Sequence, residues 1–339
     1  MKVLFVSDTN YPMKDGVVTY MDEVVPRLEG GYEVEVFTPK IDSRGSSPVL
    51  RTKVFGYYIP IPLGIRSAVK RNDVIFSNSP LSNGIAAVLL GRRYGKKVVV
   101  FCHHDEKILM ENVFPFMRRS GNAVDRIMRT YYGRADMCLF ATKKFYMRLK
   151  RLGIPEERLA YNPFSVDTNV FRPYTSPLEE RYPGKMVLYV GRISKEKNIA
   201  ELMGHARSMK DWKFLFVGEG YMLDKYRKDS PENCEFIGPL KREELPDYYN
   251  IADVFVHLSS HESQSFTVME AMACGLPVIT KKSEGEFSFL KEGNYIPYSG
   301  DLKKDVSLLN GIGKNASAEM AKCNWDRHIK RLEEVFEGV

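Results

Sequence analysis

Residues 251–282, IADVFVHLSSHESQSFTVMEAMACGLPVITKK, compress a strand, a polar turn, a helix and a second strand into one stretch. The strand Val254, Phe255, Val256 is apolar without alternation, as expected of a parallel strand covered on both faces. The turn after it reaches Glu262, and Glu270 follows on the helix. With a helix starting near Gln264, Glu270 falls in its first two turns. Both carboxylates then face one small polar ligand from the carboxyl end of a strand, where open α/β sheets take ligands. Ala271 to Ala273, Gly275 and Pro277 read as small helix residues, a helix stop and the opening of a buried strand. The structural alternative has Glu262 capping the helix and Glu270 solvated on its surface.

Working outward, the same strand-to-glycine exit recurs. Met186 to Val190 runs into Gly191-Arg192 and then Lys197-Asn198; residues 213–217 run into Gly218-Glu219-Gly220; residues 234–237, ending in Ile237, run into Gly238-Pro239-Leu240. Glycine permits a sharp exit from a sheet. Arg192, as a planar fork, and Lys197, as a point charge, suit one diphosphate. At the start of the chain, residues 2–7 read as a buried strand and Asp8 to Gly16 as a polar turn. A helix over 19–28 is stopped by Gly30-Gly31, and residues 32–37 form the next strand, a βαβ opening. Further strands are expected at 73–76, 97–101 and 137–140, and helices at 83–94 and 122–133. No G-x-G-x-x-G is present, so a nicotinamide cofactor lacks its phosphate fingerprint. His103 and His104 follow the strand at 97–101, again at a carboxyl end. The amphipathic segment 325–336 completes the pattern with Ile329, Leu332, Val335 and Phe336 on one face.

Length and composition set the bounds. A chain of 339 residues with 44% hydrophobic content supports about two domains. Five cysteines, with no C-x-x-C pair, argue against a disulfide framework and a zinc site and for a reducing, cytoplasmic setting. No apolar run approaches the ~20 residues of a spanning helix. The charge is unevenly distributed. Residues 1–165 hold 26 Lys+Arg against 16 Asp+Glu, a net of +10, whereas residues 166–339 hold 24 against 27, a net of −3. Residues 51–150 alone carry 19 against 6, a net of +13, which favours an anionic surface, phospholipid or nucleic acid, unless it is only a solvated basic face.

The spacing of Glu262 and Glu270 followed by EAMACGLPVI, with the Gly191-Arg192 and Lys197 pair, resembles the family-4 retaining glycosyltransferases. The resemblance implies a GT-B fold, two Rossmann-like doubly wound domains facing across a cleft. The expected division is 1–172 for an acceptor-binding domain, a linker at 173–183 opening a nucleotide-sugar domain over 173–324, and 325–339 as a helix returning to the first domain. It implies transfer of a hexose from a nucleoside diphosphate sugar, with retention and with no metal or cofactor. Arg192 and Lys197 neutralise the departing diphosphate; Gly16, Gly191, Gly218 and the loop Ile237, Gly238, Pro239, Leu240 approach the nucleotide. Glu262 and the backbone of Ser263, Gln264, Ser265 and Phe266 hold the sugar hydroxyls, with Thr267 also in the donor loop; Glu270 holds the ribose hydroxyls, and His103 aligns with the histidine near the transferred sugar. Departures are visible. Only one glycine, Gly16, stands in the first diphosphate turn, Phe164-Ser165 replaces the Asn-Gly of the interdomain hinge, and Ser283-Glu284-Gly285-Glu286 replaces a Gly-Gly-x-x-Glu.

The acceptor rests on Glu262-Ser263-Gln264-Ser265-Phe266-Thr267, which resembles the version in diacylglycerol glucosyltransferases, and on the basic first half. A membrane lipid is therefore expected, with peripheral attachment to the inner face of the cell membrane. The contact is expected along 113–134, where Phe114, Phe116, Arg118 and Arg119 precede a helix with Val124, Ile127, Met128, Tyr131 and Tyr132 on one face and Arg126 and Arg129 off it. The same stripe would also serve as domain core. The alternatives are a soluble sugar or polysaccharide acceptor, or a non-catalytic basic protein that binds nucleic acid. A nucleic-acid module is not recognisable, and that alternative leaves the paired acids idle.

Overall fold

The computed structural model describes residues 1–9, 16–40, 45–46, 48–51, 58–102, 123–259, 264–282 and 286–338. These form two compact units, Met1–Pro163 with Trp325–Val339, and Phe164–Asn324.

The first unit is built on strands β1 (Lys2–Val6), β2 (Glu33–Phe37), β5 (Val74–Ser77), β6 (Lys97–Cys102), β7 (Met137–Phe140) and β8 (Leu159–Tyr161), beside a small antiparallel pair β3 (Val49–Arg51) and β4 (Tyr58–Pro60). The six-stranded sheet runs β2-β1-β5-β6-β7-β8 with parallel pairings. Helices Gly16–Leu28, Ile65–Arg71, Ser82–Arg93, Ala123–Gly133 and Lys143–Arg151 connect the strands. The unbroken apolar runs of β1, β5 and β6 lie buried, as a sheet covered on both faces requires.

Helix Trp325–Gly338 belongs to this unit. It buries Trp325, His328, Ile329, Leu332, Val335 and Phe336, a helical period that turns one stripe inward. Phe336 meets Phe76 edge-on at 5.5 Å and Tyr32 at 6.0 Å. His328 Nδ1 donates to the Pro163 carbonyl at 2.8 Å, which leaves Nε2 of the neutral ring to accept from the Tyr20 hydroxyl at 2.9 Å.

The second unit repeats the architecture with β9 (Lys185–Val190), β10 (Trp212–Val217), β11 (Cys234–Gly238), β12 (Val254–His257), β13 (Val278–Thr280) and β14 (Ile296–Pro297), in the order β11-β10-β9-β12-β13-β14. Every pairing is parallel. Numbered within the unit this is the 3-2-1-4-5-6 order of a doubly wound sheet, and the order reverses between β9 and β12.

The boundary falls at Pro163–Phe164 rather than at 172–173. Phe164 stacks on Phe266 at 5.1 Å and the Val166 amide donates to the Cys323 carbonyl at 3.0 Å, so these residues pack with the second unit. The Pro-rich piece expected to be a linker is also packed. The Tyr174 amide donates to Asn250 Oδ1 at 2.9 Å, and the Tyr174 and Ser176 hydroxyls both donate to Asp247, at 2.6 and 3.1 Å.

Candidate active site

In the second unit three neighbouring strands end in left-handed glycines, Gly191 after β9 (φ 148°), Gly218 after β10 (φ 134°) and Gly238 closing β11 (φ 93°). The requirement is steric as well as torsional. A Cβ on Gly218 would lie 2.0 Å from the Gly191 carbonyl oxygen, and one on Gly220 would lie 2.3 Å from the Ile193 carbonyl oxygen. The two exits interlock through backbone bonds, Gly191 N–H to Val217 O and Ile193 N–H to Glu219 O, both at 2.9 Å. After the third exit Pro239 is exposed and Ile237 and Leu240 are half-buried.

The first of these exits carries the cations. Arg192 is exposed, with its carbonyl accepting from the Tyr189 hydroxyl at 2.9 Å, and Lys197 is half-buried at the end of a short 3-10 turn, Lys195–Lys197. Glu196 lies between them. Partial burial pushes its carboxyl up, but the Ser194 hydroxyl at 2.6 Å, its own backbone amide and the charges of Lys197 and Arg192 outweigh that and hold it below the ordinary range.

Beyond the switch point, helix Phe266–Ala273 is capped by Ser265, whose hydroxyl accepts from the Val268 amide at 3.4 Å and pairs with Thr267 at 3.0 Å. Glu270 is 6% exposed, so the solvated alternative does not hold. The Tyr249 hydroxyl donates to its Oε2 at 2.9 Å. Burial raises the Glu270 carboxyl pKa, and the Tyr249 bond and the Arg242 charge oppose that rise. Among the described residues Oε1 accepts no hydrogen bond. Tyr249 was not singled out from sequence; its position one helix upstream gave no local signal.

The side chain of Gln264 is engaged within the second unit. Its Oε1 accepts from the Phe164 amide at 3.3 Å and its Nε2 donates to Ser288 Oγ at 2.8 Å, so its side chain ties the segment internally. Phe266 is likewise engaged by Phe164. The replacement of Asn-Gly by Phe164-Ser165 thus builds a packing contact. Glu262 and Ser263 lie outside the described residues.

In the first unit Gly16 is the exposed first residue of helix Gly16–Leu28. His103, His104, Phe114, Phe116, Arg118 and Arg119 lie outside the described residues. The apolar stripe of helix Ala123–Gly133 is a correction: Val124, Met128, Tyr131 and Tyr132 are at most 2% exposed, in one core cluster with Val100 and Cys138, with Ile127 half-buried against it, while Arg126 and Arg129 are exposed. A buried carboxylate that the sequence did not single out sits at this sheet's own switch point, between β1 and β5. Buried Asp8 accepts from the amides of Asn83 at 2.7 Å, Leu81 at 2.9 Å and Gly84 at 3.4 Å, at the start of helix Ser82–Arg93. Burial raises its pKa to about 6 against those bonds and the Ser79 side chain.

Among the described residues no helix is long and apolar enough to cross a membrane, and no group of three or more His, Cys, Asp or Glu side chains could hold a metal.

Comparison with known proteins places this two-unit fold. Residues 14–170 match Glycosyltransferase Family 4 and residues 175–305 match Glycosyl transferases group 1. The chain is 26% identical to alpha-monoglucosyldiacylglycerol synthase of Acholeplasma laidlawii, covering 99% of this chain and 96% of that protein. Its fold is similar to that of sucrose-phosphate synthase from Thermosynechococcus elongatus, with TM-score 0.79, 18% identity and coverage of 99% and 98%. It is also similar to Anabaena HepE solved with UDP, with TM-score 0.74, 16% identity and full coverage of both chains. Fold and sequence together define a glycosyltransferase of the GT-B fold. The chain belongs to the family-4 glycosyltransferases and is related to members that glycosylate lipids.

Proposed function

We propose that this protein moves a hexose, with retention of anomeric configuration, from a nucleoside diphosphate sugar to a diacylglycerol-type lipid at an anionic membrane surface. The observation that carries the donor half is the single edge of the second unit where Gly191, Gly218 and Gly238 leave their strands and Arg192 and Lys197 stand together. The hard step is departure of the nucleoside diphosphate, on which negative charge grows. Arg192 supplies a fork of fixed donors and Lys197 a compact charge, placed where that anion forms, so stabilisation requires little reorganisation. The pair does the work a divalent metal would otherwise do, and transfer is expected to continue in excess chelator. Glu270, held by Tyr249, has Oε1 for a ribose hydroxyl. Glu262 and the backbone of Ser263 to Thr267 are assigned to the sugar. UDP in a protein of similar fold agrees with such a donor.

The lipid acceptor is supported by the diacylglycerol synthase relative. It also fits the outward Arg126 and Arg129 together with helix Lys143–Arg151, where Lys143, Lys144, Lys150 and Arg151 are exposed around Met147, itself 47% exposed. Arg148 joins the two helices through Asp125 at 2.7 Å.

The test is label transfer from UDP-, GDP- and ADP-sugars to diacylglycerol in mixed vesicles, with EDTA present, alongside Lys197→Ala. We expect transfer with one donor class and a turnover about 10² to 10³ lower in the variant. Wild-type-like kcat in Lys197→Ala would sink the charge assignment. Transfer to a soluble sugar but not to lipid would replace the acceptor.

A further inference from the structure

The strand order of the second unit reverses between β9 and β12, so the loops leaving these strands diverge and open the crevice where such sheets hold ligands. The β9 exit carries Arg192 and Lys197; the β12 exit leads toward Glu262. Asn198 closes the β9 exit. Among the described residues it is the one non-glycine at positive φ, with φ 56° and ψ 34°. A left-handed backbone costs a side chain on the order of 1 kcal/mol, least for Asn and Asp and nothing for glycine.

Two ordinary reasons for an asparagine here fall short. Left-handed geometry alone is met more cheaply by glycine. Capping the helix Ile199–Ser208, which Asn198 immediately precedes, would use its side-chain oxygen on the first amides, yet no side-chain cap bond is made. Instead the Asn198 side-chain Nδ2 donates to the Leu258 carbonyl at 2.8 Å, one residue past β12 and across the switch point. The other flank of the loop is already fixed to the segment that follows β10, through the Ile193 amide on Glu219 O at 2.9 Å and the Lys195 amide on the Tyr221 hydroxyl at 3.1 Å. The Tyr221 hydroxyl in turn donates to Glu196 Oε2 at 3.3 Å.

We propose that Asn198 is a positioning residue for the transfer reaction: its side chain fixes the Lys197 turn against the β12 exit, and so sets where diphosphate charge is met relative to the sugar. It acts through Lys197 and touches no substrate. The inference rests on the donor site proposed above.

Asn198→Gly keeps the left-handed backbone and removes the tether. Asn198→Asp keeps shape and torsion but turns a donor into an acceptor facing a carbonyl. We expect Asn198→Gly to melt within a few degrees of wild type, with kcat about tenfold lower and donor KM changed less, and Asn198→Asp to lose more, up to about 10². The decisive reading is the pair with Lys197→Ala. If Asn198 acts through Lys197, adding Asn198→Gly to that variant costs little further turnover, whereas independent effects multiply. Wild-type kcat in Asn198→Gly, or multiplicative losses in the double variant, overturns the inference while leaving the donor site standing. Absence of transfer from every nucleoside diphosphate sugar in the wild-type protein removes the donor site itself, and this inference with it.

Discussion

Asp8 and His328, both buried in the first unit, titrate with opposite consequences. Asp8 has an ordinary pKa of 3.8 and a folded value of about 6, so between these the folded chain holds the extra proton. Its stabilising contribution is present below about 4 and is lost as pH rises through about 6, by roughly 3 kcal/mol. His328 runs the other way. Burial lowers it from 6.5 to about 4 against the Pro163 bond, so its contribution is present above 6.5 and is lost as pH falls toward 4, again by roughly 3 kcal/mol. The two slopes nearly cancel over the shared window. Urea unfolding followed from pH 4 to 6.5 is expected to show His328→Gln losing stability as pH rises and Asp8→Asn gaining it. A His328→Gln profile parallel to wild type would refute the opposition.

At the scale of elements, long apolar runs were legible and short or charged ones were not. Lys97–Cys102 is recognisable because five of its six residues are apolar and nothing alternates. Lys143–Arg151, KKFYMRLKR, anchors itself with buried Phe145 and Leu149 only, an i and i+4 pair too sparse to stand out among five basic residues. The stripe of helix Ala123–Gly133 misled because a bilayer and a protein core select the same amphipathic period; burial alone separates them. What that helix offers outward is charge, shared with Lys143–Arg151. Reversing Lys143, Lys144 and Arg151 to Glu is expected to weaken retention on phosphatidylserine vesicles about 10²-fold at low salt, since each basic residue near an anionic surface contributes about 1 kcal/mol. Retention on neutral vesicles should not change. Equal retention of variant and wild type on the anionic vesicles would move the membrane contact elsewhere.

Over the whole molecule, the duplication of a parallel sheet was readable from two rounds of strand, glycine and helix. The long-range partnerships inside each unit were not: Glu270 with Tyr249 and Asn198 with Leu258 in the second, and Asp8 with Asn83 in the first, join residues 21, 60 and 75 positions apart, beyond any local pattern. Each sheet has one of these bonds at its point of reversal, Asp8 in the first and Asn198 in the second. The helix Trp325–Gly338 adds a consequence in time. The unit that opens with β1 is completed by residues that leave the ribosome after the entire second unit. The later sheet can therefore fold first, while Tyr20, Phe76 and Phe101 await Trp325, His328 and Phe336. Cutting the chain after Asn324 should leave the second unit's cooperative melting intact and make the first unit the preferred target of proteolysis. A truncated chain whose first unit resists protease as the full chain does would show that co-translational order is not set by this late-arriving helix.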